Sequence, residues 1–154
     1  MLVVLDTNVI VSGLLKPYGS AGYVVRLVAR GSLRVAYDAR ILLEHRQVLA
    51  RPKFGFDTRE VRYFLPQLER EGTPVTAPPL AASLPDPGDA PFLEVALATR
   101  CSLVTGNTKH YPPEVRASVE LFSPAAFVAS LALALGFDLL WEAPRATADL
   151  RPAR

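Results

Sequence analysis

Short, unbroken apolar runs alternate with longer amphipathic stretches along most of the chain. The first run, Leu2-Val3-Val4-Leu5, is rich in β-branched residues and has no polar break. That is the pattern of a strand buried on both faces of a parallel sheet. Asp6 ends it, and a helix is predicted from Thr7 to about Leu15. Lys16-Pro17-Tyr18-Gly19 reads as a loop. A second helix, from about Ser20 to Ala29, stops at Gly31 in the usual C′ position. Leu33 to Tyr37 reads as the next strand, and Asp38 can cap a helix from Ala39 to about Ala50, ahead of Pro52. Asp57 and Glu60 have capping-box spacing and open a helix to about Glu71, with a kink or break expected at Pro66. Pro74 to Ala77 is a weak strand, and Pro78 to Gly88 a proline-rich connection. A helix from about Ala90 to Thr99 leads to a buried strand at Ser102 to Thr105. Gly106 to Pro113 is a loop or a short helical turn. Ser118 to Phe122 is the last strand, and Ser123-Pro124 opens a final helix.

Strands alternating with helices in this way predict an α/β fold with a mostly parallel sheet. Ligands of such sheets bind outside the carboxyl ends of the strands. The 154 residues suit one domain, over 1–143, followed by a polar, Pro-containing tail over 144–154 that is expected to be mobile. Half the residues are apolar and 21% are charged, a globular composition. The net charge of +2 permits a nucleic-acid partner without arguing for one. Cys101 is the sole cysteine, which rules out an intrachain disulfide and fits a cytoplasmic location. The first ten residues have no basic leader region and carry Asp6 and Asn8, unlike a signal peptide. The apolar stretch Pro124 to Trp141 is interrupted by Ser130, Gly136 and Asp138, so no membrane span is expected.

The predicted elements bring acidic residues to one edge of the sheet. Asp6 follows the first strand directly, and Asn107 follows Ser102 to Thr105 after one glycine. Asp86 and Asp89 precede the helix that leads into that strand. Glu44 lies mid-helix between Ile41 and Val48, beside a buried stripe, where it needs a metal ion or a basic side chain as partner. Carboxylates converging on one pocket repel one another, and a hard divalent cation removes the conflict. Such a cation suits hydrolysis of a phosphate ester without a covalent intermediate. Each residue also has an ordinary structural use: Asp6 and Asp89 as helix caps, Asp86 and Asn107 as turn residues, Glu44 as a surface glutamate. Their order and placement carry more than any one of them.

Four segments resemble the PIN-domain family, and among its members the toxin components of toxin–antitoxin pairs related to the VapC ribonucleases. They are Val3-Val4-Leu5-Asp6-Thr7-Asn8-Val9-Ile10, the stretch Ile41 to Phe54 around Glu44, Asp86-Pro87-Gly88-Asp89-Ala90-Pro91-Phe92-Leu93-Glu94-Val95-Ala96, and Leu103-Val104-Thr105-Gly106-Asn107. The resemblance covers roughly residues 1 to 130. It implies a three-layer α/β/α sandwich with an acidic pocket at one edge. It implies a metal-dependent endoribonuclease using Mg²⁺ or Mn²⁺, an RNA substrate, a homodimer, and a small antitoxin that blocks the pocket. Asp6, Glu44 and Asp89 match the family's catalytic, metal-binding acids, and Asp86 could be an auxiliary ligand or support from behind. Thr7 and Thr105 match hydroxyl positions that hold carboxylates or waters, and Asn8 is expected to hydrogen-bond within its loop.

The fourth acidic position of the family is Asn107 here, which offers a neutral carbonyl oxygen and weakens a second metal site more than the first. Arg46, Arg51, Lys53 and Lys109 lie in or after the motifs and are candidates for phosphate contacts. His45 and His110 are far apart in the chain and set among oxygen donors, which argues against either as a ligand. A degenerate, nucleic-acid-binding or regulatory module is the alternative that Asn107 raises. A haloacid-dehalogenase-like phosphatase lacks its second aspartate, since Thr7 and Asn8 follow Asp6. A dinucleotide-binding domain lacks its glycine-rich loop.

Overall fold

The computed structural model describes residues 1–81 and 83–136. Five strands form one sheet: β1 (Leu2–Leu5), β2 (Arg34–Tyr37), β3 (Thr73–Pro74), β4 (Ser102–Val104) and β5 (Leu121–Phe122). Their order is β3-β2-β1-β4-β5, and every pairing is parallel. The helices are α1 (Thr7–Leu15), α2 (Ser20–Ala29), α3 (Ala39–Leu49), α4 (Thr58–Glu71), α5 (Ala90–Thr99), α6 (Pro113–Arg116) and α7 (Pro124–Ala134). Helices sandwich the sheet in an α/β/α arrangement: α5 lies over β1, β2 and β4, while α2 packs on α1, α4 and α7. The expected tail over 144–154, with the end of the expected domain, lies outside the described residues.

β1 is the central strand because it is the most apolar. Val3, Val4 and Leu5 are buried, as are Leu103 and Val104 of the neighbouring β4. Every crossover helix therefore finds an apolar face to cover. The chain first winds outward from β1 to β2 and β3, then returns to β4 and β5 on the other side. The strand order thus reverses between β1 and β4. A crevice opens at the carboxyl ends of two such strands because their connections leave in opposite directions. Asp6 and Thr105 stand at those two ends.

Side-chain caps fix the helix starts as the sequence suggests. Asp38 accepts from the backbone N–H groups of Arg40 and Ile41, Asp57 from Arg59, and Ser123 from Ala126. Gly31 takes the left-handed conformation (φ +72°) that ends α2. Between α1 and α2 the backbones come very close. A Cβ on Gly22 would lie 2.3 Å from the Pro17 carbonyl oxygen, so only glycine fits there.

β2 and β4 are each one residue shorter than expected, and three larger differences stand out. The third strand is Thr73–Pro74 rather than Pro74 to Ala77. Pro74 is tolerated because β3 is an edge strand, pairing on one side only with β2. The last strand is Leu121–Phe122 rather than Ser118 to Phe122, because the chain from Pro113 forms α6 and turns at Ser118, whose N–H bonds the Val115 carbonyl. α4 also continues through Pro66 without a break. The carbonyl that Pro66 leaves unbonded belongs to Arg62, an exposed residue where water can serve as donor.

The acid-bearing helices are tied together by a buried carboxylate outside the cleft. Glu94 of α5 is 5% exposed. It accepts from the Arg40 guanidinium of α3 at 2.6 Å and from the Leu80 N–H at 2.8 Å, and Arg40 also grips Asp38 at 2.6 Å. Glu94→Ala would leave the Leu80 N–H without an acceptor and Arg40 half-paired. A loss of about 2–3 kcal/mol is expected in urea unfolding, whereas Arg59→Ala on the exposed start of α4 should cost far less.

Candidate functional site

Asp6 is placed by β1 and serves as the cap of α1, with its side chain accepting from the Asn8 N–H at 3.1 Å. Its other oxygen accepts from the Asn8 side-chain amide at 2.9 Å and from the Thr105 hydroxyl at 2.7 Å. The Asn8 carbonyl oxygen in turn accepts from the Gly106 N–H at 2.9 Å. Asn8 therefore does more than close its own loop: it ties the end of β1 to the end of β4. Thr105 also accepts from the Asn107 N–H at 3.0 Å, so one hydroxyl fixes both Asp6 and the turn after β4.

Thr7 positions the next acid. Its hydroxyl donates to Glu44 Oε1 at 2.8 Å and lies 2.9 Å from His45 Nδ1. With the one hydroxyl proton given to Glu44, His45 must donate from Nδ1. That leaves Nε2 as a bare acceptor, buried and unpartnered. Burial holds His45 at a pKa of about 4, so it stays neutral, packed beside Phe92. It acts as a core side chain beneath Glu44.

Asp86 caps the short turn Pro87–Asp89 through the Gly88 N–H at 2.8 Å. Asp89 begins α5 but makes no capping bond with its side chain. It meets His110 Nδ1 at 3.0 Å instead. The helix-cap reading of Asp89 therefore does not account for its carboxylate.

Asp6, Glu44, Asp86, Asp89 and Asn107 line one open cleft of about 470 Å³, together with His110, Lys16 and Phe54. Within it the ligand atoms of Asp86, Asp89 and His110 all lie within 4.8 Å of one another. Chain spacing and an oxygen-rich setting argue against His110 as a ligand, yet the short turn Thr108–His110 carries it into the cleft. Lys16 caps the end of α1 outside the four motifs, and Phe54 is the last residue of the stretch around Glu44, where nothing local marks it for the cleft. Of the four basic candidates, Arg46 is committed to Glu69 at 2.7 Å. Lys53 stacks over Phe54 at 4.9 Å, and Lys109 is exposed in the turn beside Asn107. Arg51 is exposed after α3.

The electrostatics fit a cation. Burial, above all, raises Asp6 to about 6, with the Asp89 and Glu44 charges adding to it and the Thr105 and Asn8 bonds opposing. Asp89 is also raised, chiefly by burial and then by Asp86, against the His110 bond. Tyr111 is fully buried with no partner for its hydroxyl, and burial together with the Asp6, Asp89, Glu44 and Asp86 charges raises it well above the usual phenol range. A divalent cation among these carboxylates offsets their repulsion, and a water in its shell could meet the orphan hydroxyl.

The fold and cleft define an α/β domain with carboxylates gathered at the sheet's switch point. The PIN-domain model matches residues 2–109, and the chain belongs to the PIN-domain family. PIN domains are in general metal-dependent nucleases. No curated protein and no solved structure matches the chain. No helix among the described residues is long and apolar enough to cross a membrane.

The raised Asp6 gives a stability prediction with a definite sign. Its folded pKa of about 6 exceeds the ordinary 3.8, so its contribution is full below pH 3.8 and lost as pH rises through 6. At about 1.4 kcal/mol per pH unit the loss is roughly 3 kcal/mol. His45 has the opposite sign, losing stability as pH falls from 6.5 toward 4, so the wild-type profile alone mixes the two. In metal-free protein Asp6→Asn should therefore melt above wild type at pH 7.5, with the gap closing toward pH 4. A constant gap across that range would contradict the assignment.

Proposed function

We propose that this chain is a metal-dependent endoribonuclease that hydrolyses RNA phosphodiesters, and that it is the toxin of a toxin–antitoxin pair. The convergence of Asp6, Glu44, Asp86 and Asp89 on one open cleft carries the reading. Asp6, Glu44 and Asp89 would hold Mg²⁺ or Mn²⁺, with Asp86 as a further carboxylate and Asn107 as a neutral oxygen. A bound cation of this kind polarises a phosphoryl oxygen and lowers the pKa of a water.

The chain's own residues do the rest. Thr105 and Asn8 lock the Asp6 carboxylate, and Thr7 locks Glu44, so the oxygens are aimed before substrate arrives. Lys16 lines the cleft; Lys53, Lys109 and Arg51 do not, but they are exposed on the turns that follow α3 and β4 and would meet the phosphates further along the strand. Phe54 adds apolar lining, but its ring is stacked on Phe56 and lies under Lys53 Nζ; single-stranded or looped RNA is favoured because its phosphates are accessible to an open cleft. Arg46, tied to Glu69, is the weakest of these contacts. A homodimer and an antitoxin inserted into the cleft are part of the proposal on the strength of the toxin resemblance.

Incubating the chain with RNA and single-stranded DNA in Mg²⁺ or Mn²⁺ should give RNA cleavage that EDTA stops. Asp6→Asn and Asp89→Asn should each lower it about 100-fold or more. Inducing the wild type in a bacterial host should arrest growth, and inducing Asp6→Asn should not. A second reading rests on Asn107, which brings no charge to the cleft: a binding module without turnover. It predicts RNA binding without cleavage at any metal concentration. Under either reading Lys53→Ala and Lys109→Ala should each weaken RNA binding and reduce its salt dependence by about one ion.

A further inference from the structure

The carboxylate missing at Asn107 has a replacement nearby, and it is a nitrogen. His110 follows Asn107 by three residues, in the turn Thr108–His110, whose last N–H bonds the Asn107 carbonyl at 3.0 Å. That turn is held from behind. The Arg116 guanidinium donates to the Thr108 carbonyl at 2.6 Å and to the Tyr111 carbonyl at 2.8 Å, on either side of His110. Tyr111 itself is fully buried. The imidazole is thus presented to the cleft by a fixed turn, and its side chain remains 43% exposed toward the opening.

The spacing suits a shared ion. His110 Nδ1 is hydrogen-bonded to Asp89 Oδ2 at 3.0 Å, and with Asp86 the two form a trio of potential donor atoms within 4.8 Å of one another, close enough to turn to one ion in place of that bond. A second observation points to an occupant. The Tyr111 hydroxyl, next in sequence to His110, is buried without a hydrogen-bond partner and within electrostatic reach of Asp6, Glu44, Asp86 and Asp89, and a metal-bound water could supply that partner.

We infer that His110 is a direct metal ligand, taking the place of the absent fourth carboxylate, and that the site accordingly prefers Mn²⁺ to Mg²⁺. Mg²⁺ takes oxygen donors and dehydrates reluctantly, whereas an imidazole nitrogen suits first-row transition ions. The inference rests on the metal-dependent reading above and narrows its cofactor.

The whole chain, freed of metal, would be titrated with Mn²⁺ and separately with Mg²⁺ by calorimetry, and its Mn²⁺ complex examined by pulsed electron paramagnetic resonance. Wild type should bind Mn²⁺ about tenfold or more tightly than Mg²⁺ and show nitrogen coupling to the bound ion. His110→Ala should lose that coupling and about tenfold of Mn²⁺ affinity while Mg²⁺ affinity stays within about threefold. His110→Gln, which keeps a polar group beside Asp89, should behave as His110→Ala. A wild-type Mn²⁺ complex without nitrogen coupling overturns the inference and leaves the nuclease reading standing, as does an equal loss of both ions in the variants. A folded wild type that binds neither ion overturns both. Nitrogen coupling in a protein that cleaves no RNA supports the ligand and overturns turnover alone. The wild-type spectrum decides the point even if a variant fails to fold.

Discussion

Asp6 is a buried charge at the carboxyl end of the most buried strand, and the surroundings of the cleft follow from keeping it there. Its oxygens accept from Asn8, in the first turn of α1, and from Thr105, just past the end of the neighbouring strand β4. The bonds do not outweigh burial, since Asp6 is still raised to about 6. A side chain left in that state in a folded protein marks a place where local stability is given up. Active sites are where such conflicts concentrate.

The conflict is confined by the packing behind it. Glu44 stands on α3 and Asp89 at the start of α5, and these helices are joined through Arg40 and Glu94, away from the cleft. The acids can repel one another without separating because a different ion pair holds their helices. His45 beneath Glu44 and Tyr111 beneath the turn after β4 are both buried with an unpartnered polar atom. For His45 the orphan is an acceptor lone pair, the cheaper kind to bury. For Tyr111 it is a hydroxyl within electrostatic reach of the cleft's carboxylates, a costlier group to leave unpaired.

Around the acids the cleft is lined unevenly. Val11, Leu15, Val48 and Phe54 bring apolar surface to it and Lys16 a positive charge, beside the polar groups of Asp86, Asp89, Asn107 and His110. A nucleic-acid strand brings both a charged backbone and flat apolar bases, and a cleft with this mixed lining can meet both. The modest net charge of the chain is no obstacle, because Lys16 brings a local positive charge to the cleft itself.

Much of this was legible along the chain because it is local. Apolar runs, caps at Asp38, Asp57 and Ser123, and the glycine after α2 mark elements through interactions spanning a few residues. Asp6, Glu44 and Asp89 could be named from motif order, since each sits where a strand ends or a helix begins or turns inward. The edge position of Pro74, the truncation of β5 and the passage of α4 through Pro66 could not be named, because each depends on which neighbour is absent. Nor could the partnership of Asp89 with His110, 21 residues away, or of Asp6 with Thr105, 99 residues away. Sequence by itself determined the family, the elements and the acids that compete for one edge. Only the order β3-β2-β1-β4-β5 decided which side chains meet there, because strand order is fixed by the packing of the whole sheet and no local propensity encodes it.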